Sequence, residues 1–282
     1  MKKLLKPLIR FLVTTGVTWK TINLFIKITH RFKFEKDLIE IEKGREVQQN
    51  KEKRIKEKFA DLTVRHGFFK GMTYFPYESH GSSLYPKLLG SYESELSEII
   101  EQICKTNYSE IIDVGCAEGF YAVGFARRMF EVIVYAYDND PLALTEAKRM
   151  AELNKVANRV VFNSFCSAST LSEFKFTGKS LIFCDCEGYE IELFNSSNIS
   201  NLLKTDILIE LHDGKNERIS PYLFKLFEKT HNHKLIQSVN CFTKASEYFE
   251  LKDLTDDELE ICLQERGGIQ QWVFFTSKIE LK

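Results

Sequence analysis

The chain contains few of the residues that interrupt regular structure, with 14 glycines and 5 prolines among 282 residues. This scarcity excludes a collagen-like or low-complexity protein. A large excess of charge of one sign is also absent, because 39 Lys and Arg face 40 Asp and Glu. We therefore expect no nucleic-acid partner, since such proteins are usually strongly basic. With 44% hydrophobic and 28% charged residues, the composition predicts a globular protein with a sizeable core.

A disulfide framework is not indicated either. The seven cysteines are an odd number and include no pair of C-x-x-C motifs. Cys184 and Cys186 are too close in sequence for a zinc hairpin, so we interpret them as small buried apolar residues and predict no metal ligated by cysteine. This cysteine usage is typical of a reducing compartment, and we expect a cytoplasmic protein.

Long hydrophobic runs are missing from the basic N-terminal segment. Residues 1–36 contain nine Lys and Arg but one acid, Glu35, and their longest uncharged stretch is the nine residues between Arg10 and Lys20. A transmembrane helix needs about 20 apolar residues, and no A-x-A-like signal cleavage site follows. The segment could lie on an anionic membrane, at its inner face. Alternatively, it forms a helical arm that packs on the rest of the chain or on a partner subunit, so an oligomer stays open.

The segment that follows is rich in charges of both signs. Fifteen of the 25 residues from 35 to 59 are Asp, Glu, Lys or Arg, spaced as in a solvated helix. We predict a helical arm over residues 1–65 and an α/β domain over 66–282. Residues 71–92 are dense in aromatic and hydroxyl side chains, and form either a cap over a cleft or an ordered surface wrap.

The remainder alternates short apolar runs with amphipathic helical patterns, which is typical of a doubly wound sheet covered on both faces. The helices are predicted between the strands, and His231 and His233 are predicted to lie in a solvated turn. Seven strands are predicted, at 110–114, 132–137, 160–162, 181–184, 207–211, 235–239 and 271–276.

In such sheets ligands bind beyond the carboxyl ends of the strands. The first predicted strand leads into Asp113-Val-Gly-Cys-Ala-Glu-Gly119, whose glycines allow a tight turn and close approach of a ligand to the backbone. This is not the G-x-G-x-x-G pattern of dinucleotide-binding proteins. The second strand ends at Asp138, placed to accept hydrogen bonds from ribose hydroxyls, and Pro141 then starts a helix.

These two strand ends resemble those of the class I S-adenosylmethionine (SAM)-dependent methyltransferases, over roughly residues 88–278. The resemblance implies a Rossmann-like sheet of strand order 3-2-1-4-5-7-6 with the last strand antiparallel. It also implies SAM as cofactor, with motif I at the methionine end, Asp138 at the ribose and Phe165 near the adenine. The cofactor-binding residues that it implies are Asp113, Gly115, Cys116, Ala117, Gly119, Asp138, Asn139, Phe165 and Asp185.

The fourth strand end lacks the D/N-P-P-Y/F signature of base N-methyltransferases. Its Asp185-Cys-Glu187-Gly-Tyr-Glu190 is similar to the D-x-E-G-A-E element of FkbM-type methyltransferases, apart from Cys186 and Tyr189. The Glu210-Leu-His212 sequence is similar to their E-x-H element. The resemblance implies O-methylation of a hydroxyl group on a glycan or glycoconjugate.

A sugar hydroxyl is a poor nucleophile, so its methylation needs a base or a cation that lowers its pKa. His212 is the predicted general base, and Asp185, Glu187 and Glu210 complete the predicted catalytic set. Asp213 is expected to converge with them at the adjacent strand ends. These carboxylates could orient the histidine, bind hydroxyls or hold Mg²⁺. Other readings stay open: a structural His212, an acceptor that is a protein, RNA or small metabolite, or a SAM-binding scaffold without turnover.

Overall fold

The computed structural model describes residues 10–11, 14–15, 19–75, 83–265, 268 and 270–279, and the chain divides into two units between Lys58 and Phe59. The first unit contains helix α1, Trp19–Lys58. Ion pairs four residues apart lie along it, including Arg31–Glu35 at 3.1 Å and Lys36–Glu40 at 3.5 Å. No helix among the described residues is both long and apolar enough to span a membrane.

The second unit is built on one seven-stranded sheet with the order β3-β2-β1-β4-β5-β7-β6. β7 is antiparallel to β5 and β6, whereas the other pairings are parallel. This confirms the doubly wound fold, the strand order and the reversed last strand. The strands are β1 Glu110–Val114, β2 Ile133–Tyr137, β3 Val160–Asn163, β4 Ser180–Cys184, β5 Thr205–Leu211, β6 His231–Gln237 and β7 Gln271–Ser277.

Helices precede the sheet and connect its strands. Short 3₁₀ segments lie at Ser94–Leu96, Ala157–Arg159, Cys241–Glu247 and Phe249–Leu251. The α-helices of this unit are α2 Leu84–Leu89, α3 Ser97–Lys105, α4 Phe120–Arg128, α5 Pro141–Leu153, α6 Ala168–Glu173, α7 Glu190–Leu193, α8 Ile219–Phe227 and α9 Asp256–Leu263.

Local sequence explains most of these elements. Every residue of β1, β4 and β5 is buried, as expected for central strands covered on both faces. α5 begins where the Asp140 side chain accepts a hydrogen bond from the amide of Leu142, with Pro141 in the first turn.

The register of the central strands brings three loops together. Val114, the last residue of β1, is paired with Tyr137 at the end of β2 and with Cys184 at the end of β4. The chain order reverses between β1 and β4, and such a switch point opens a crevice at the carboxyl edge. The residues that follow these three strands therefore meet at one place.

One local prediction is wrong. His231 is not in a solvated turn but is the first residue of β6, 2% exposed, with Nε2 2.9 Å from the Thr205 carbonyl oxygen. Burial lowers the pKa of His231. The apolar pattern missed this start because most of the following strand residues are exposed and polar. Part of the predicted cap, residues 76–82, lies outside the described residues, as do residues 1–9, 12–13 and 16–18 of the basic segment.

Candidate functional site

A cavity of about 420 Å³ opens at the carboxyl edge of the sheet, where β1, β2, β3 and β4 end. This volume is in the range of small-molecule sites. The lining comes from four strand ends and from the region around α2. It consists of Lys87, Tyr92, Val114–Phe120 without Gly119, Tyr121, Tyr137–Asp140, Ser164–Cys166, Phe183, Asp185–Glu187 and Tyr189.

The turn after β1, residues 115–119, is called the glycine turn below. Gly115 has φ +83°, and a Cβ atom there would lie 1.8 Å from the carbonyl oxygen of Asp185. The amide of Asp185 in turn donates to the Val114 carbonyl at 2.9 Å. Any side chain at position 115 would therefore force the ends of β1 and β4 apart.

Asp138 lies at the end of β2 and is tied to the glycine turn. Its Oδ2 accepts a hydrogen bond from the Ala117 amide at 2.8 Å, and its Oδ1 accepts one from the Asp140 amide at 2.8 Å. Each carboxylate oxygen can accept a second hydrogen bond. Asp138 and the exposed Asn139 both line the cavity, so the predicted ribose-binding position borders it.

Aromatic rings border the cavity at the end of β3. Phe165 is 51% exposed, although it lines the cavity, and its ring centroid lies 5.4 Å from that of Tyr189. A flat ligand can stack on such a surface. Tyr189, one of the two departures from the FkbM-type pattern, thus meets the residue predicted to flank adenine.

Two of the predicted cofactor residues lie outside the cavity lining. Asp113 is buried in β1, and neither of its carboxylate oxygens has a hydrogen-bond partner among the described residues. Burial raises the pKa of Asp113 well above its ordinary value, and the nearby charges of Asp138 and Asp185 raise it further. Gly119, with φ +92°, precedes α4, and a Cβ there would lie 3.2 Å from that of Ala147 in α5. Gly119 thus allows two helices to pack closely.

A second group, called the acid–histidine cluster below, consists of Asp185, Glu187, Glu190 and His212. Nδ1 of His212 lies 2.6 Å from Oε1 of Glu190, a fully buried carboxylate. On the other side of the ring, Nε2 lies 3.4 Å from Asp185 and 3.5 Å from Glu187, both of which line the cavity. The histidine is thus held by one carboxylate and faces two others at the cavity rim.

The charges around His212 set its protonation. Burial lowers the pKa of His212, but the hydrogen bond to Glu190 and the charges of Asp185, Glu190 and Glu187 outweigh it, so the pKa is raised above 6.5. Lys215 pairs with Glu187 on the outer side. Ligand atoms of Asp185, Glu187 and His212 lie within 4.8 Å of one another, so these three side chains could also meet at a divalent cation.

Two acidic residues from the β5 end do not join this cluster. Glu210 is 1% exposed, is paired with Trp272 of β7 across the sheet, and does not line the cavity. Asp213 accepts hydrogen bonds from the amide and hydroxyl of Ser220 at 2.9 and 2.5 Å, so its carboxylate binds the first turn of α8. The expectation that Asp213 converges on the site is therefore wrong.

Two ionisable side chains of the cavity lining, Lys87 and Tyr121, were not among the predicted site residues. Lys87 forms a buried ion pair with Glu118, and the Tyr121 hydroxyl donates to Glu93. A lysine inside the otherwise apolar helix Leu84–Leu89 was the available signal for the first pair. Glu190 belongs to the motif at residues 185–190 that the sequence analysis identified. Its contact with His212 joins the ends of two strands, and no local sequence pattern predicts that contact.

Comparison with known proteins supports the fold. The family model described as ribosomal protein L11 methyltransferase (PrmA) matches residues 96–184, from the 3₁₀ turn before α3 to the end of β4. The strand order, with its reversed last strand, and the family-model match indicate the same fold. The chain has the class I SAM-dependent methyltransferase fold. No curated protein matches the chain in sequence.

Solved structures with low sequence identity to this methyltransferase-fold protein align with about two thirds of its chain. A structure titled putative O-methyltransferase from Klebsiella pneumoniae has 14% identity and a TM-score of 0.44, covering 66% of this chain and 79% of that one. The Bacillus cereus O-methyltransferase in complex with SAH has 14% identity and a TM-score of 0.45, covering 65% and 80%. A Geobacter sulfurreducens SAM-dependent methyltransferase with S-adenosyl-L-homocysteine has 14% identity and a TM-score of 0.42, covering 65% and 90%.

Proposed function

We propose that this protein is a SAM-dependent O-methyltransferase that modifies a hydroxyl group of a glycan or glycoconjugate. The observation that carries the proposal is the position of His212. It is held by the buried Glu190 and faces Asp185 and Glu187 at the rim of a cavity that also contains Asp138. The arrangement places a proton acceptor beside a nucleoside-sized site.

The residues of the cavity fit SAM. The glycine turn brings backbone to the cavity without a side chain at Gly115, and Asp138 offers carboxylate oxygens at the distance in sequence expected for ribose recognition. Phe165 and Tyr189 offer an aromatic surface suited to adenine. The FkbM-type resemblance at residues 185–190 and 210–212 supports the same assignment.

SAM supplies an electrophilic methyl group when it is bound. In the proposed reaction the acceptor oxygen forms the new bond to the methyl carbon as the carbon–sulfur bond breaks, and the hydroxyl proton passes to Nε2 of His212. Glu190 keeps the proton on Nδ1, so that Nε2 is the accepting nitrogen. Asp185 and Glu187 then stabilise the imidazolium. Asp185 and Glu187 can also bind neighbouring hydroxyls of the acceptor and align it.

A protein acceptor is the main alternative, because the matching family model is described as a ribosomal protein methyltransferase. The matched residues 96–184 end before the acid–histidine cluster begins. They include the glycine turn and Asp138, which lie at the cofactor side of the cavity. The match therefore supports cofactor use more than any particular acceptor. A scaffold without turnover is disfavoured by the organised His212–Glu190 contact.

The test is transfer of a labelled methyl group from SAM to fractionated glycans, protein, RNA and small metabolites. We expect label in the glycan fraction that resists mild alkali, because a methyl ether is stable under conditions that hydrolyse a methyl ester. His212→Gln should lose the transfer, whereas His233→Gln, a change at an exposed strand position, should keep it. Label in protein or RNA alone would contradict the glycan assignment.

We further propose a cytoplasmic enzyme that can attach to an anionic membrane surface through residues 1–36. Support comes from the nine basic residues of this segment and from the exposed side chains of Leu24, Phe32 and Phe34 in α1. Full-length protein should sediment with vesicles that contain an anionic lipid but not with neutral ones. The variant with Lys27, Arg31 and Lys33 replaced by Glu should lose binding, and the variant with Lys51, Lys53 and Lys56 replaced should keep it. Equal loss in both variants would contradict a role specific to residues 1–36.

A further inference from the structure

Two cysteine thiols lie in contact at the end of β4. The Cys184 thiol donates a hydrogen bond to the sulfur of Cys186, and the two Sγ atoms are 3.5 Å apart. Cys184 is the last residue of β4 and is fully buried, whereas Cys186 is half-buried and lines the cavity. A disulfide bond is about 2.05 Å long, so a shift of roughly 1.5 Å would bring the two sulfurs to bonding distance.

The surroundings of these thiols favour a bond between them over a shared metal ion. In the described part of the chain, the group of side chains that could hold an ion contains Asp185, Glu187 and His212 but no cysteine. Cys166 also lines the cavity, but burial raises its pKa to about 12, which keeps this thiol protonated and slow to react. Cys186 combines access to the cavity with a second thiol in contact, as redox-sensitive cysteines do.

Asp185 lies between the two cysteines and connects them to the acid–histidine cluster. Its amide is hydrogen-bonded to the end of β1 at 2.9 Å, and its Oδ1 lies 3.4 Å from Nε2 of His212. Glu187, which follows Cys186, has φ +55°, a strained conformation for a glutamate. Bringing the two sulfurs together would therefore turn the backbone at both carboxylates that face the histidine.

We infer that Cys184 and Cys186 form a reversible disulfide when a hydroperoxide enters the cavity, and that this bond disables the acid–histidine cluster. The bond itself is independent of the proposed function, whereas its effect on methyl transfer rests on that function. A disulfide between cysteines one residue apart closes a small ring, and strained disulfides are readily reduced. The modification is therefore expected to reverse with a dithiol.

The oxidation proceeds in two steps, written here for hydrogen peroxide. The sulfur of Cys186 takes one peroxide oxygen as the O–O bond breaks, which gives a sulfenic acid, and the other oxygen leaves as water with the thiol proton. The sulfur of Cys184 then forms the S–S bond, and the sulfenic hydroxyl leaves as a second water with the Cys184 proton. Burial raises the pKa of the Cys184 thiol, which suits it to the second step and not to the first.

Peptide masses test the bond directly. Full-length folded protein is treated with hydrogen peroxide, its remaining thiols are blocked, and it is digested with trypsin, which releases residues 180–204 with Cys184, Cys186 and no other cysteine. We expect this peptide to lose two hydrogens and to take up no blocking reagent, and dithiothreitol to restore both thiols. An unchanged peptide, sulfenic or sulfinic acid alone, or a bond from Cys186 to Cys166 in residues 160–175 would overturn the inference.

The transfer rate tests the consequence of the bond, with each protein compared before and after peroxide treatment. The wild-type rate should fall at least tenfold and recover with dithiothreitol, whereas the rate of Cys186→Ser should change less than twofold. Cys166→Ser is the matched control, because Cys166 also lines the cavity, and it should respond as the wild type does. A disulfide without a fall in rate would overturn the effect on the acid–histidine cluster. Absence of transfer before treatment would instead contradict the proposed function, while the peptide masses still report the bond.

Discussion

The glycine turn and the acid–histidine cluster border the same cavity but are built differently. In the glycine turn, backbone atoms make the critical contacts: the amide of Ala117 binds Asp138, and Gly115 lies against the Asp185 carbonyl. In the acid–histidine cluster, side chains from two strand ends meet, and their charges raise the pKa of His212. Changes in the first region should therefore act through shape and binding, and changes in the second through proton transfer.

The largest effect is expected from Gly115→Ala. The new methyl group would overlap the Asp185 carbonyl oxygen, and φ +83° is strained for alanine, so the free energy of unfolding should fall by more than about 2 kcal/mol. Binding of S-adenosylhomocysteine should become undetectable. Thermal unfolding and calorimetry measure both. Gly214→Ala is the control, because a Cβ there meets nothing within 4 Å. Equal stability and equal binding of the two variants would contradict the importance of close backbone contact in the glycine turn.

The next largest effect is expected from His212→Gln, which removes the proposed base from the acid–histidine cluster. The rate of methyl transfer should fall by about 10²–10⁴-fold. The affinity for S-adenosylhomocysteine should change less than twofold, because His212 is outside the cavity lining. Comparing kcat with calorimetric affinity separates the effects. A variant with unchanged kcat would show that His212 is structural.

The dependence of the transfer rate on pH also tests the role of His212 as proton acceptor. His212 accepts a proton only when neutral, and Glu190, Asp185 and Glu187 raise its pKa, so the rate should rise with pH through a value above 6.5. Lys215 faces Glu187 and not the Glu190 side. Glu190→Gln should move the rising limb to lower pH, because the loss of a negative charge lowers the pKa of His212. Glu192→Gln, an exposed change in the same helix, should leave the profile in place. An unmoved limb in Glu190→Gln would contradict the assignment.

The smallest effect is expected from Phe165→Ala at the nucleoside side. The ring is half exposed, and its loss should weaken S-adenosylhomocysteine about fivefold, or ~1 kcal/mol, with the transfer rate at saturating SAM unchanged. Phe130→Ala changes a phenylalanine that is 81% exposed and outside the cavity lining, and should have no effect on binding. Calorimetry on both variants checks this. A fall in rate without a change in affinity would place Phe165 with the acceptor.

The two regions also differ in how far the sequence predicted them. The apolar runs predicted all seven strands of the sheet, because a central strand buried on both faces has a local signature. The glycine turn and Asp138 are neighbours of such strands, so their positions followed from the fold. The predicted start of β6, residue 235, lies after its observed start at His231, because most residues of this strand are exposed and polar. His231 was therefore wrongly predicted to lie in a turn.

The contacts made by side chains could not be predicted in the same way. Glu190 meets His212 only because β4 and β5 pair in a particular register, and Lys87 meets Glu118 through a helix that precedes the sheet. Asp213 has the residue type and position expected of a site residue, yet its carboxylate accepts hydrogen bonds from Ser220 in the first turn of α8. Long-range packing decides these cases, and a single sequence does not contain it.

The most direct test of the account is calorimetric titration of S-adenosylhomocysteine into the wild type and Asp138→Ala, with Asp257→Ala, an exposed change in α9, as control. We predict micromolar binding to the wild type and the control, weakened at least tenfold in Asp138→Ala, about 1.4 kcal/mol. Absence of binding to folded wild-type protein would contradict SAM as the cofactor and with it the proposed methyl transfer.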